Sequence, residues 1–122
     1  RIAMAPEPRS TMTFVPNRYT VIVPPEKITQ YLLNASHPTG YSKARFFIRH
    51  GFGAADADAL AEALTLHVAN NAVVREQSSP LGTKYRVEGS MPAPDGRDPM
   101  VASVWLIETG ATVPRFITAF PC

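Results

Sequence analysis

The sequence predicts an α+β domain in which three helices precede a four-stranded antiparallel sheet and cover one of its faces. Up to about residue 70, apolar residues recur at intervals of three and four, the period of an amphipathic helix. From Val73 onward apolar and polar residues alternate, as in half-buried strands. A run of helices followed by a run of strands is typical of the α+β class. The 122 residues fit a single domain.

The first part of the chain predicts an extended lead-in over residues 1–20. Three prolines, Pro6, Pro8 and Pro16, prevent a continuous helix there. Residues 19–23 are β-prone and predict a short edge strand. The domain proper is predicted over residues 21–122, and the sequence leaves open whether the lead-in belongs to the fold.

Three helices are predicted from their end signals. The first opens at Pro24-Pro25, whose fixed φ suits a first helical turn, and ends near Asn34. The second runs between a cap at Ser42 and Gly51, and the third runs from a cap at Asp56 to about residue 70. Their predicted buried faces are Ile28, Tyr31 and Leu32 in the first, Ala44, Phe47 and Ile48 in the second, and Leu60, Leu64 and Val68 in the third.

Four strands are predicted to form a meander. The first covers residues 72–77, the second contains Tyr85 and Val87, and the last two cover residues 100–107 and 115–120. Segments rich in Gly, Pro, Asp and Ser at 78–82, 92–96 and 109–110 supply the turns. On the second strand, alternation places Lys84, Arg86 and Glu88 on the face opposite Tyr85 and Val87.

The charge balance does not indicate a general nucleic-acid binder, because the net charge is only +2. A local stretch over residues 41–50 nevertheless holds Lys43, Arg45 and Arg49 and no acidic residue. This stretch fits either a phosphate-bearing substrate or an ordinary solvated helix face. No run approaches the roughly 20 apolar residues of a membrane span, so none is predicted.

We predict no metal and no cofactor. Cys122 is the single cysteine, which leaves no intramolecular disulfide and no cysteine-based zinc site. Three scattered histidines give no recognisable metal site, and His50 and His67 are interpreted as structural. The P-loop, HExxH, GxSxG and GxGxxG motifs do not occur.

Several segments resemble an uncharacterised bacterial domain family, over about residues 20–122 and in the right order. The segments are 24–28, 31–34, 37–40 and 42–47 in the front half, and 82–85, 104–110 and 114–121 in the back half. Domains of this kind are similar to the C-terminal tips of polymorphic toxins, or stand beside a small antitoxin-like protein. Their order of helices and sheet resembles the metal-independent ribonucleases grouped with barnase, EndoU, colicin-type tRNA nucleases and RelE.

The resemblance implies a toxin-type ribonuclease, with tRNA as one candidate substrate, that is neutralised by a cognate immunity protein or antitoxin. It also implies action in the cytoplasm after delivery as the C-terminal part of a secreted effector. Metal-free RNA cleavage needs a base, an acid and cations that stabilise the charged phosphorane. The predicted catalytic residues are His37, Lys43, Arg115 and Thr118, and the predicted substrate-binding residues are Arg45, Lys84 and Trp105.

Several of these residues have a structural alternative. His37 could only stabilise its turn, Trp105 could belong to the core, and Arg115 could pair with Glu108 across the last hairpin. Strand alternation also places Arg115 and Thr118 on opposite faces unless a bulge intervenes. The second function hypothesis is therefore a non-enzymatic module that binds a partner protein through its sheet edge or its basic second helix.

Overall fold

A computed structural model describes residues 13–28, 41–53 and 56–122. Within them, three helices precede a four-stranded antiparallel sheet, which confirms the predicted α+β layout. The elements are α1 (Pro25–Lys27), α2 (Tyr41–Arg49), α3 (Ala57–Asn70), β1 (Val73–Ser79), β2 (Gly82–Ser90), β3 (Met100–Glu108) and β4 (Arg115–Pro121). Most of the predicted first helix, His37 and its turn lie outside the described residues.

The sheet is a meander in the order β1-β2-β3-β4, and each strand pairs with its sequence neighbour. The tight turn into β2 depends on Gly82, whose φ is +140° and where a side chain would collide with the carbonyl oxygen of Ile107. Only glycine adopts such a backbone conformation without strain. The predicted strands form as expected, and the ends predicted for the first, third and fourth strands differ from those observed by at most two residues.

Helix α3 contributes the stripe of buried side chains that its sequence predicts. Leu60, Leu64 and Val68 are fully buried, and His67 is buried beside them. The expected cap is wrong in detail, because the side chain of Asp56 makes no capping bond to the helix. Its Oδ2 instead accepts a hydrogen bond from the backbone N–H of Gly53 at 3.1 Å, which stabilises the turn before the helix.

Helix α2 buries Ala44 and Phe47, as predicted, and ends at Arg49, two residues before Gly51, whose φ is +100°. The predicted cap at Ser42 is wrong, because the helix already starts at Tyr41. Ile48 was expected on the same face but is 41% exposed. The reason is geometric, since consecutive helical residues are rotated by about 100° and only one of Phe47 and Ile48 can point directly inward. Phe46 packs partly against the core instead.

The end of the lead-in packs against the domain. Val15 is 1% exposed and belongs to the hydrophobic core. Arg18 donates from Nε to the carbonyl oxygen of Ala69, at the end of α3. The predicted edge strand is reduced to a single parallel bridge between Ile22 and Arg115, at the outer edge of β4.

The strand register divides the sheet residues between two faces. One face carries Tyr85, Val87, Ser103, Trp105 and Phe116, all buried, and packs against α3; we call it the core face. The opposite face, which we call the cation face, carries Arg75, Gln77, Lys84, Arg86, Glu88, Val104, Leu106, Glu108, Arg115, Thr118 and Phe120. The prediction that the helices all lie on one face is not confirmed.

Candidate functional site

The cation face is organised in two rows that run across the strands. In the first row Arg75 pairs with Arg86, Arg86 with Val104, and Val104 with Thr118. In the neighbouring row Gln77 pairs with Lys84, Lys84 with Leu106, and Leu106 with Arg115. Cross-strand partners lie side by side, so the meander gathers polar side chains that are up to 43 residues apart in sequence, such as Arg75 and Thr118.

A β-bulge in β4 brings Arg115 and Thr118 to the same face. Trp105 pairs with Phe116 and Val104 pairs with Thr118, so Ile117 is the extra residue of the bulge. Without it, the two side chains would point to opposite faces of the strand. The sequence left open whether a bulge places Arg115 and Thr118 on one face, and the structure contains this bulge. Phe116, which lies between the two residues in sequence, stays in the core.

A depression of about 310 Å³ lies on the cation face. This volume is at the lower end of the range for small-ligand sites. Half-buried Val104 and Ile117 contribute apolar surface, and cationic or polar side chains supply most of the remainder. The complete lining is Arg75, Gln77, Lys84, Tyr85, Arg86, Val104, Ile117 and Thr118.

Like charges are placed side by side in this depression. Arg75 lies directly opposite Arg86 on the neighbouring strand, an arrangement that destabilises a sheet. Glu88 offsets part of this charge, since its Oε2 lies 2.7 Å from Nε of Arg86. That Nε atom is buried and makes no aligned hydrogen bond. The contact is therefore an ion pair whose N–H does not point at the carboxylate oxygen.

Helix α2 adds Lys43 to the same region. Its Nζ donates a hydrogen bond to Oγ1 of Thr118 at 3.2 Å and lies 5.9 Å from the centre of the Phe120 ring. The guanidinium of Arg86 lies 5.0 Å from the centre of that ring. Both cations are thus held by one aromatic side chain at the β4 side of the depression.

Arg115 extends the positive charge into the second row. Its Nη1 lies 3.9 Å from Oε1 of Glu108, which confirms the pairing that the sequence raised as an alternative. Both side chains are at least half exposed, and a long ion pair of this kind contributes little to stability. The guanidinium therefore keeps most of its capacity to bind an anion.

The remaining predicted residues are separated from this cluster. Trp105 is fully buried in the core, which is the alternative that the sequence left open for it. Arg45 is exposed on α2, two residues and about 200° of helix rotation from Lys43. His37 lies outside the described residues, so the structure brings together Lys43, Lys84, Arg115 and Thr118 of the predicted set.

His67 belongs to a buried polar network on the core face. Its Nε2 lies 2.9 Å from the carbonyl oxygen of Val101 and 3.1 Å from that of Gly89, so this nitrogen carries the hydrogen and donates it. Nδ1 then accepts from the hydroxyl of Ser103, whose oxygen accepts from the indole N–H of Trp105. Burial lowers the pKa of His67, against the opposing effect of the two carbonyl contacts. The ring is neutral and structural.

Sequence reasoning missed three polar residues of the cation face that line the depression: Arg75, Gln77 and Arg86. The alternation of β2 had already placed Arg86 beside Lys84, so the signal for that residue was present. Arg75 and Gln77 become visible only when the register pairs them with Arg86 and Lys84. Within residues 13–28, 41–53 and 56–122, no group of three or more His, Cys, Asp or Glu side chains is arranged so that it could hold a metal ion.

The fold and the site define this protein as an α+β domain with one basic sheet face. The chain belongs to the family described as domain of unknown function DUF6883, whose profile matches residues 15–122. The predicted membership in an uncharacterised family is thereby confirmed, and the likeness to ribonucleases stays a prediction. Among curated proteins, none matches this chain.

A solved structure is also similar to this chain. It is a contact-dependent growth inhibition toxin–immunity protein complex from Klebsiella pneumoniae 342. The TM-score is 0.67 at 21% sequence identity, over 83% of this chain and 99% of that chain. At this identity the likeness shows a shared fold. No helix in the described part of the chain has the length and apolar character that crossing a membrane requires.

Proposed function

We propose that this domain is a toxin that cleaves RNA on its cation face without a metal ion. The observation that carries the proposal is the depression where Arg75, Lys84 and Arg86 converge beside the Lys43–Thr118 hydrogen bond. Adjacent like charges cost stability in the free protein, so their placement indicates an anionic ligand. A phosphodiester supplies the negative charge that offsets this cost.

Each cation has a role that its chemistry suits. Arg75 and Arg86 present planar guanidinium groups that can bind two phosphate oxygens at once. Lys43, fixed by Thr118 and Phe120, provides a compact charge for the phosphorane that forms in the transition state. In this proposal the positive charge is already in place before the substrate binds, so little reorganisation is needed during the reaction.

The base that activates the 2′-hydroxyl is assigned to His37. Among the described residues of the cation face, Glu88 and Glu108 are the carboxylates, and each is committed to an arginine. The described histidines serve elsewhere, since His67 is buried on the core face and His50 bonds the carbonyl of Phe46. His37 precedes α2 in sequence, and Lys43 at the start of α2 contacts the site.

The toxin context is supported by the structural likeness to a chain from a growth-inhibition toxin–immunity complex. We infer that this domain likewise has a cognate immunity protein, and that it acts in the cytoplasm of a target cell as part of a delivered effector. tRNA is one candidate substrate. The cation face is the surface that an inhibitor would need to cover.

The test is expression of residues 1–122 in bacteria, with total RNA analysed on a gel. We expect growth arrest and discrete RNA fragments from the wild type. Lys43→Met and Arg86→Met should lower cleavage by roughly 10²–10³-fold, the typical effect of losing one transition-state donor. His37→Ala should lower it by about 10²–10⁴-fold, the typical contribution of a general base.

Arg49→Gln is the matched control, because Arg49 is exposed near the other end of α2. It should retain full cleavage at equal protein level. Intact RNA from a folded, abundant wild-type protein would refute the ribonuclease proposal. Retained activity in His37→Ala alone would refute only the assignment of the base.

A specific observation favours the second function, a non-enzymatic module that binds a protein. In the described part of the chain β1 pairs with β2 alone, and six of its seven residues are exposed. An uncovered strand edge is a ready site for a further strand. Growth arrest without RNA fragments, abolished by proline substitution in β1 and retained in Lys43→Met, would support this alternative over the ribonuclease.

A further inference from the structure

We infer that the cation face binds a single-stranded nucleic acid through two consecutive phosphates rather than through one. This inference rests on the proposed function and names the class of its substrate. The observation behind it is the division of the cations between two rows of the sheet, with a separate set of positive charges in each.

The first phosphate position lies in the row of Arg75 and Arg86. These guanidinium groups belong to adjacent strands, and Lys43 contacts Thr118 at the other end of the same row. The second position lies in the row of Lys84 and Arg115, where Gln77 adds an uncharged hydrogen-bonding group. Each row therefore offers at least two cations for one phosphate.

The distance between the rows fits a polymer. Lys84 and Arg86 are two residues apart on β2, which separates the rows by about 6.6 Å. This separation is close to that of consecutive phosphates in an extended single strand. Between the cations of β2 and β4, the half-buried Val104 and Leu106 of β3 provide an apolar strip that a sugar or a base can cover.

The shape of the surface favours a single strand over a duplex. The cations converge on a depression of about 310 Å³. One nucleotide can enter such a depression only when its base is not held in a helix, and sequence-specific RNA recognition generally uses loops and ends for the same reason. A duplex would touch the rim with its backbone and would leave the apolar strip uncovered.

Binding can be measured apart from cleavage. The probe is a fluorescein-labelled eight-nucleotide 2′-deoxy strand, which has no 2′-hydroxyl to attack, and the readout is fluorescence anisotropy over a range of salt concentrations. Each lost phosphate contact should reduce the slope of log K against log salt by about 0.7, the value for single strands. We expect this reduction in both Arg86→Gln and Lys84→Gln, with affinity roughly tenfold weaker in each. Arg49→Gln should match the wild type.

Three outcomes would overturn the inference. If Arg86→Gln reduces the slope and Lys84→Gln and Arg115→Gln do not, the face holds one phosphate. If a duplex of the same sequence competes as well as the single strand, the preference for single strands is wrong. If no oligonucleotide binds at low salt, the face serves another partner, such as an acidic protein.

The RNA cleavage assay separates this inference from the proposed function. Deoxy strands that bind through both rows, together with intact cellular RNA, would sustain the inference and refute the ribonuclease. Fragmented RNA that depends on Arg86 but not on Lys84 or Arg115 would sustain the ribonuclease and refute the two-phosphate arrangement. Circular dichroism of each variant confirms that these surface substitutions leave the fold intact.

Discussion

Consecutive residues along each strand point to opposite faces of the sheet, and the two faces differ in how their polar and charged groups are paired. On the core face, Tyr85, Val87 and Trp105 are buried, and the indole N–H of Trp105 is paired with the hydroxyl of Ser103. On the cation face, Arg75 and Arg86 lie side by side, and Glu88, which forms an ion pair with Arg86, is poorly aligned with it. The same pleat thus separates a surface that stabilises the fold from one that carries unbalanced charge.

The two faces differ in how strictly their polar groups must be paired. A buried polar group without a partner costs roughly 1–3 kcal/mol, so the core face tolerates none in the network of His67, Ser103 and Trp105. The cation face instead retains one buried nitrogen without an aligned hydrogen bond, Nε of Arg86, beside the like charge of Arg75 on the neighbouring strand. Under the proposed function a ligand, rather than stability, determines those positions.

The largest effect is expected from breaking the core face at Trp105. Trp105→Ala should lower the free energy of unfolding by about 3–5 kcal/mol, because it opens a cavity in a fully buried site and removes the indole N–H from Ser103. Urea denaturation measures this change. Val104→Ala, one residue away on the cation face, is the matched control and should cost clearly less. Equal losses would mean that the two faces contribute alike to stability.

The next effect concerns the hydroxyl that joins the buried network. Ser103→Ala leaves Nδ1 of His67 and Nε1 of Trp105 without their partner, and we expect a loss of about 2–3 kcal/mol. The comparison is Ser90→Ala, which changes an exposed serine on β2 and should stay within about 0.5 kcal/mol of the wild type. A neutral Ser103→Ala would show that the network does not constrain the core.

The core face should also respond to acid. Burial lowers the pKa of His67 below its ordinary value of 6.5, so the unfolded chain takes up a proton at this residue more readily than the folded one. Stability from the neutral ring is therefore complete above pH 6.5 and decreases as the pH falls below it. Urea denaturation between pH 7.5 and 5 should show a steeper decrease for the wild type than for His67→Gln. Parallel curves would contradict this linkage.

The core of the fold could be predicted from the sequence because it follows from local periodicity. The stripe Leu60, Leu64 and Val68 and the alternation around Tyr85 each appear within a short window, and burial of an apolar face allows few other arrangements. Ile48 was wrongly predicted to be buried. The apolar face of a helix is broad, and of the neighbours Phe47 and Ile48 only one can point directly into the core.

The site could be predicted only in part, because it is assembled by register. Nothing in residues 115–120 marks Ile117 as a bulge, yet that bulge decides whether Arg115 and Thr118 share a face. The partnership of Arg75 with Arg86 depends on a second register shift in β1, between Val73 and Arg75. Pairings of this kind arise when strands come together in the folded protein, and a periodic pattern along one strand does not predict them.

The smallest expected change in stability is the sharpest test of the difference between the two faces. It is an increase in stability, whereas the other substitutions are expected to lower it. Arg75→Gln removes one of two like charges that face each other across β1 and β2. We expect the free energy of unfolding to rise by about 0.2–1 kcal/mol, the usual scale of a cross-strand pair. RNA cleavage by the same variant should fall.

A protein that becomes more stable and less active on one substitution reveals a position held for its ligand. Urea denaturation and the RNA gel, performed on the same preparation, measure the two changes together. Arg49→Gln removes an exposed cation from α2 and should change neither quantity. If Arg75→Gln is destabilising, the arginine pair is instead part of the structural support of the sheet. The charge on this face would then give no reason to infer an anionic ligand.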